Sequence, residues 1–302
     1  MTRLRHALIA AAVAAACTAP APTLSPSARA ETPKIVATTT IIADLARNVT
    51  GARVDSLAPA GVSVEDFEPK PEDARKVAEA RVILVNGLSL DRWSAKVLKN
   101  AGKDAKIVVL SEGLPRLGIG QSADEDVNKN GNPHYWFDVK YAKTYVERIR
   151  DAVTAADPGG RDEYAQRTAA YLAQLDALDR DIRAQIATIP AERRKLVTSH
   201  DAFPYFAAAY GMRIVGFAEP EAGKEPTAAE LAALVEKVKA EHVPAIFSES
   251  QVSPALAQAL ARDAGVRKVV AELITDSVGP APADSYIGLM RYDVDLIVAT
   301  LR

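Results

Sequence analysis

Between Arg161 and Ile189 the sequence reads RDEYAQRTAAYLAQLDALDRDIRAQIATI, with no strand-like segment, after Pro-Gly-Gly at 158–160 and before Pro190. Leu172, Leu175, Leu178, Ile182 and Ile186 recur every three or four residues, so one face of a helix is apolar. A helix of about 27 residues reaches about 40 Å at 1.5 Å per residue, more than one small domain needs. Residues 161–189 are therefore predicted to form a linking helix that spans two bodies.

On both sides of it, strand and helix patterns alternate. KIVATTT, RVILVNG and KIVVLSE read as strands before it, separated by helical stretches such as IIADLARNV, EDARKVAEA and DRWSAKVLKNAG. After it come KLVTSH, MRIVGFAE, PAIFSES and RKVVAEL, again with helices between. This is the rhythm of mainly parallel sheets flanked by helices. The two halves also start alike: Lys34-Ile-Val leads through a helix to Gly51, and Lys195-Leu-Val through a helix to Gly211. The expected fold is α/β, with two lobes joined by one long backbone helix. The lobes are placed at residues 31–160 and 190–302. A ligand cleft is expected between them, beyond the carboxyl ends of the strands.

The first thirty residues have a different character. Arg3 and Arg5 precede the apolar run ALIAAAVAAA, and SARA ends at Ala30. This is the pattern of a secretory signal peptide cleaved after Ala30, which places the mature chain in the periplasm. The apolar run is too short to span a bilayer. Cys17, the single cysteine, lies inside this leader and is the alternative acceptor for a lipid anchor, although Ala14 stands where such sites usually have Leu. A formal net charge of −2 offers no electrostatic basis for binding nucleic acid or an anionic membrane.

Without thiolates, imidazoles and carboxylates are the ligands for a divalent transition metal. Beyond the leader the chain has three histidines. His200 follows KLVTS at a predicted strand end, and His134 lies in the loop NPHYWFD. Asp276, in LITDS, again follows a strand. His242 ends a polar helix, where an imidazolium complements the helix dipole, and is set aside. Ser199-His200-Asp201 resembles a catalytic triad in letters only, because adjacent residues cannot converge as triad members must.

Five stretches carry a family resemblance: EDFEPKPEDARKVAEARVILVNGLSLDRW, NPHYWFD, SHDAFPYFAAAYG, IFSESQVS and ITDSVG. In this order they resemble the metal-specific solute-binding proteins of bacterial ABC importers, from about Lys34 to the C-terminus. The resemblance implies two α/β lobes, one backbone helix, and a single metal held in the cleft by four side chains, two from each lobe. It implies His134 as the second ligand, His200 as the third and Asp276 as the fourth. At the first position, where the family usually has His two residues before the aromatic of its Y/F-E-P motif, this chain has Glu65 before Phe67-Glu68-Pro69. Glu65 is the expected ligand there, with neighbouring Asp66 or a water as alternatives. Glu249, at the strand end of AIFSES, is expected to support a ligating histidine.

Two imidazoles and two carboxylates form a formally neutral site with a divalent ion. Oxygen-rich sites of that kind suit Mn(II) and Fe(II), whereas Zn(II) prefers closed tetrahedral sites. The segment GIGQSADEDVNKNG before the second ligand lacks the histidine-rich loop of many zinc members. Mn(II) or Fe(II) is accordingly expected as cargo, with Zn(II) as the alternative. The expected partner is an ABC permease, the expected state a monomer, and no catalytic residue is assigned. Two other classes are a metallohydrolase, which would need Glu249 as its base, and a related binder of an organic or chelated ligand. No H-E-x-x-H or G-x-S-x-G motif supports the hydrolase.

Overall fold

The computed structural model describes residues 32–119, 125–219, 224–250 and 253–302. The leader read over residues 1–30, with Cys17 and the Ala30 cleavage position, lies outside the described residues. The elements follow the predicted alternation. The first half contains β1 (Ile35–Ala37), α1 (Thr40–Thr50), β2 (Asp55–Ser56), α2 (Pro71–Glu79), β3 (Val82–Val85), α3 (Ser94–Leu98), β4 (Lys106–Val109), α4 (Glu125–Asn130) and α5 (Val139–Ala156). Then come α6 (Arg161–Ala187), β5 (Lys195–Thr198), α7 (Pro204–Tyr210), β6 (Arg213–Phe217), α8 (Ala228–Ala240), β7 (Ile246–Glu249), α9 (Ala255–Ala264), β8 (Val269–Leu273) and α10 (Tyr286–Leu301).

In the first lobe the strand order is β2-β1-β3-β4, and every pair is parallel. Parallel neighbours need crossover helices, so β1 and β3 are covered on both faces and wholly buried. In the second lobe β5 pairs with β6 and β7 with β8, both parallel. The two ladders lie side by side, with β5 against β7 and the Ser199 hydroxyl bonded to that of Ser248 at 2.9 Å. The similar starts of the two halves correspond to matching units. β1–α1 and β5–α7 each end at a glycine in the left-handed region, Gly51 at φ 69° and Gly211 at φ 72°, where a Cβ would be strained.

Helix α6 is the predicted long helix. Its buried residues, Tyr164, Thr168, Tyr171, Leu175, Leu178, Ile182 and Ile186, keep a three-to-four spacing throughout. That stripe packs on α1 and α5 from the first half and on α7 and α10 from the second, so one helix braces both lobes. Leu172, predicted on the same face, is only half-buried at its margin. Helix α3 is much shorter than the predicted DRWSAKVLKNAG helix. Asp91, at its expected start, instead accepts bonds from the Asn86 and Gly87 amides and the Thr38 hydroxyl at 2.7–3.0 Å, which holds the preceding turn out of helical register.

The lobes meet along an aromatic seam. Tyr135 stacks on Tyr205 with ring centroids 4.4 Å apart, and Phe137 lies 4.5 Å from Phe203. Polar bonds close its ends. The Trp136 indole donates to the Thr275 carbonyl at 3.1 Å, the Tyr286 hydroxyl to the Trp136 carbonyl at 2.7 Å, and the Val278 amide to the Thr40 hydroxyl at 3.0 Å. No helix among the described residues is long and apolar enough to cross a membrane.

If the α6 stripe braces both lobes, Leu178→Ala is expected to destabilise the chain by about 2–5 kcal/mol, the range for a buried leucine truncation, while Leu172→Ala costs clearly less. Urea unfolding of the metal-free chain from Glu31 onward measures both. Equal losses for the two variants would contradict this placement of the helix.

Candidate functional site

His134 enters the seam by way of its neighbours. Tyr135, Trp136 and Phe137 form one turn of 3-10 helix and are all essentially inaccessible, so they anchor the loop in the core. The carbonyl of Pro133 accepts a bond from the Asn86 side-chain amide at 3.1 Å, and Asn86 in turn accepts from the Tyr145 hydroxyl at 2.9 Å. The Trp136 ring meets the His134 imidazole edge-on at 5.1 Å. His200 stands just past the carboxyl end of β5, where its carbonyl accepts from the Thr198 hydroxyl at 2.8 Å and the Ala202 amide at 2.9 Å. Asp276 follows β8, and Asp293 of α10 fixes that turn by accepting from the Ile274 amide at 3.0 Å.

These three residues converge. His134 Nε2 is 3.4 Å from His200 Nε2 and 3.5 Å from Asp276 Oδ1, and the third side, from His200 Nε2 to Asp276 Oδ1, is 3.7 Å. All three are buried. A cation equidistant from the three corners would sit about 2.0 Å from each, the length of a metal–nitrogen or metal–oxygen bond to a zinc-sized ion.

Electrostatics also favours a cation. Glu249, at the end of β7, is 0% exposed, and its Oε1 lies 3.3 Å from His200 Nδ1. Neither of its carboxylate oxygens makes a hydrogen bond. Two carboxylates, Asp276 and Glu249, thus share a water-poor site with two imidazoles, and unpaired charge in such surroundings is costly. Burial by itself would push the His200 imidazole down. The charges of Glu249 and Asp276 outweigh it and hold His200 well above the usual histidine range. Burial likewise pushes Asp276 up, but the facing His134 imidazole and the His200 charge carry it well below the usual carboxylate range.

Glu65 is not among the atoms that lie within 4.8 Å of one another in this cluster. It is half-buried on the loop between β2 and α2. That loop is held beside the site: the Trp93 indole donates to the Val64 carbonyl at 2.8 Å, and the Gly61 amide donates to the hydroxyl of Ser277, next to Asp276, at 3.1 Å. Asp66 is exposed and accepts from Ser63 within its own loop at 3.2 Å. Of the two acidic candidates, Glu65 is the one withdrawn from solvent. His242 lies just beyond α8 in the left-handed region, φ 50°, outside the cluster. Trp93, Ser277 and Asp293 were not singled out from the sequence. Their roles depend on tertiary partners, and their spacing carries no signal.

The family model that matches the chain, over residues 35–300, is described as the periplasmic zinc-uptake complex component A. Similar proteins include the manganese-binding lipoprotein MntA of Halalkalibacterium halodurans, 35% identical over 272 residues, covering 89% of this chain and 88% of the relative. The iron-binding protein YfeA of Yersinia pestis is 32% identical over 278 residues, covering 90% and 88%. Among solved structures, the periplasmic zinc-binding protein TroA of Treponema pallidum superposes with a TM-score of 0.80 at 31% identity, covering 89% of this chain and 99% of that one.

The raised His200 pKa sets a pH dependence for any bound cation. Below that pKa the imidazolium must lose its proton before Nε2 can ligate, so affinity is expected to fall as pH falls, with proton release on binding at neutral pH. In Glu249→Gln the charge that holds the proton is gone, and the release at neutral pH should shrink. Calorimetric titration in buffers of different ionisation enthalpy counts the protons. Equal release in both proteins would contradict the role given to Glu249.

Proposed function

This chain belongs to the family of the periplasmic zinc-uptake complex component A, and from that premise we propose that it captures one divalent transition-metal ion in its interlobe cleft and delivers it to an ABC permease. The family is one of importer substrate-binding components, and the chain is not an enzyme. The observation that carries the reading is the buried triangle of His134 Nε2, His200 Nε2 and Asp276 Oδ1, with no side longer than 3.7 Å. Glu65, on the loop held to Ser277, is proposed as the fourth ligand, reaching the ion when the loop closes on it. A carboxylate in this place raises the oxygen share of the site, which supports Mn(II) or Fe(II) as cargo; Zn(II) is the alternative.

The lobes are proposed at 31–160 and 190–302, working as a monomer. The chain is proposed to reach the periplasm through its leader, with cleavage after Ala30. Acylation at Cys17 is the second reading of that leader, favoured by the lipoprotein designation of MntA.

The test is a parallel titration of the metal-stripped chain from Glu31 with Mn(II), Fe(II) and Zn(II), following bound metal and the fluorescence of Trp136. Saturation at one ion per chain is expected, abolished in His200→Ala. In Glu65→Ala affinity should fall about tenfold or more, since losing a ligand costs at least what losing an outer partner does. Unchanged binding in Glu65→Ala would remove Glu65 from the site, and no stoichiometric binding of any of the three ions would overturn the proposal.

A further inference from the structure

Asn132 is 0% exposed, lies two residues before His134, and belongs to none of the four ligand positions. Its backbone is fixed on both sides: its amide donates to the Leu117 carbonyl at 2.8 Å, and its carbonyl accepts from the Tyr205 hydroxyl at 3.0 Å. The orientation of its side-chain amide follows from two backbone partners whose roles cannot change. One end lies 3.0 Å from the His134 backbone N–H, a group that can only donate, so that end is the oxygen. The other end faces the Asp201 carbonyl, which can only accept, so that end is the NH2.

A consequence for the ligand follows. The same Oδ1 that accepts from the His134 backbone also lies 3.0 Å from His134 Nδ1. A carbonyl oxygen cannot donate, so Nδ1 must carry the proton, and in the neutral ring the lone pair is left on Nε2. Nε2 is the atom that faces His200 and Asp276. The NH2 end, meanwhile, grips the residue immediately after His200, in the other half of the chain. One buried amide therefore acts on both imidazoles: it selects the ligating nitrogen of one and restrains the position of the other.

We infer that Asn132 is the positioning residue that sets His134 in its Nε2-ligating form and ties that ligand to the strand end carrying His200. The inference rests on the metal-capture reading above. A side chain that acts through the ring in this way is expected to control both affinity and residence time. Outer partners of metal-bound histidines typically contribute about 10–100-fold in affinity. Losing only the NH2 leaves the ring protonated on Nδ1 but removes the tie to Asp201 beside His200, which is expected to speed release.

The experiment reads the tautomer directly. Protein carrying 15N-histidine, metal-free and at alkaline pH, is examined by long-range 1H–15N correlation, and Mn(II) and Zn(II) affinities and dissociation rates are measured on the same samples. In the unsubstituted protein His134 is expected as the Nδ1–H form. In Asn132→Ala that preference should be lost and affinity should fall about 10–100-fold. Asn132→Asp keeps the acceptor for Nδ1–H but not the donor to Asp201. It should keep the Nδ1–H signature and release metal faster than the unsubstituted protein. A His134 protonated on Nε2 in the unsubstituted protein overturns the inference whether or not the variants fold. So does an Asn132→Ala protein with the tautomer unchanged and affinity within about twofold. If the unsubstituted protein binds none of Mn(II), Zn(II) and Fe(II), the metal-capture reading fails, and the tautomer spectrum still judges Asn132 separately.

Discussion

The structure depends most on two carboxylates buried beside two imidazoles. Asp276 and Glu249 are 3% and 0% exposed, and each faces a ring nitrogen of His200. Desolvating two negative charges is unfavourable unless positive charge comes with them. Glu249 and Asp276 hold the His200 imidazole well above the usual histidine range, so a proton there and the proposed divalent ion would answer the same negative charge. On the proposed capture reading, cargo and proton compete for one electrostatic role, which couples binding to deprotonation.

The rest of the fold serves to keep that small triangle assembled. Strand ends alone would place His200 and Asp276 in one lobe and leave His134 in a loop of the other. The 3-10 turn of Tyr135, Trp136 and Phe137 converts the loop into a rigid mount by burying three aromatic side chains in the seam. Helix α6 and the bonds from Trp136, Tyr286 and Val278 hold the two halves at a fixed separation. The loop carrying Glu65 lies beside the triangle. It is fastened at Gly61 by one bond to Ser277 and at Val64 by one from Trp93.

Much of this was legible in the sequence, for identifiable reasons. The α6 stripe and the βα alternation are periodic signals, and periodicity survives without tertiary information. His200 and Asp276 stand out because strand ends in parallel sheets are ligand positions. His134 stands out less: a single histidine in a loop gains meaning only from residues far away in the chain, and the family resemblance strengthens the assignment. Asp91 shows what local reasoning misses. It looks like the first residue of an amphipathic helix, but it folds back to bind two loop amides and Thr38. Asn132 carries no signal in the sequence, because its role depends on where the Asp201 carbonyl lies, and sequence spacing does not encode that.

The central claim is that one cation sits among His134, His200, Asp276 and Glu65. Diffraction from manganese-loaded crystals, with data collected at the manganese absorption edge, tests it most directly. The account predicts a single anomalous peak within bonding distance of both Nε2 atoms and of the Asp276 and Glu65 carboxylates. A peak elsewhere, or one bonded through Nδ1 of either histidine, would contradict it.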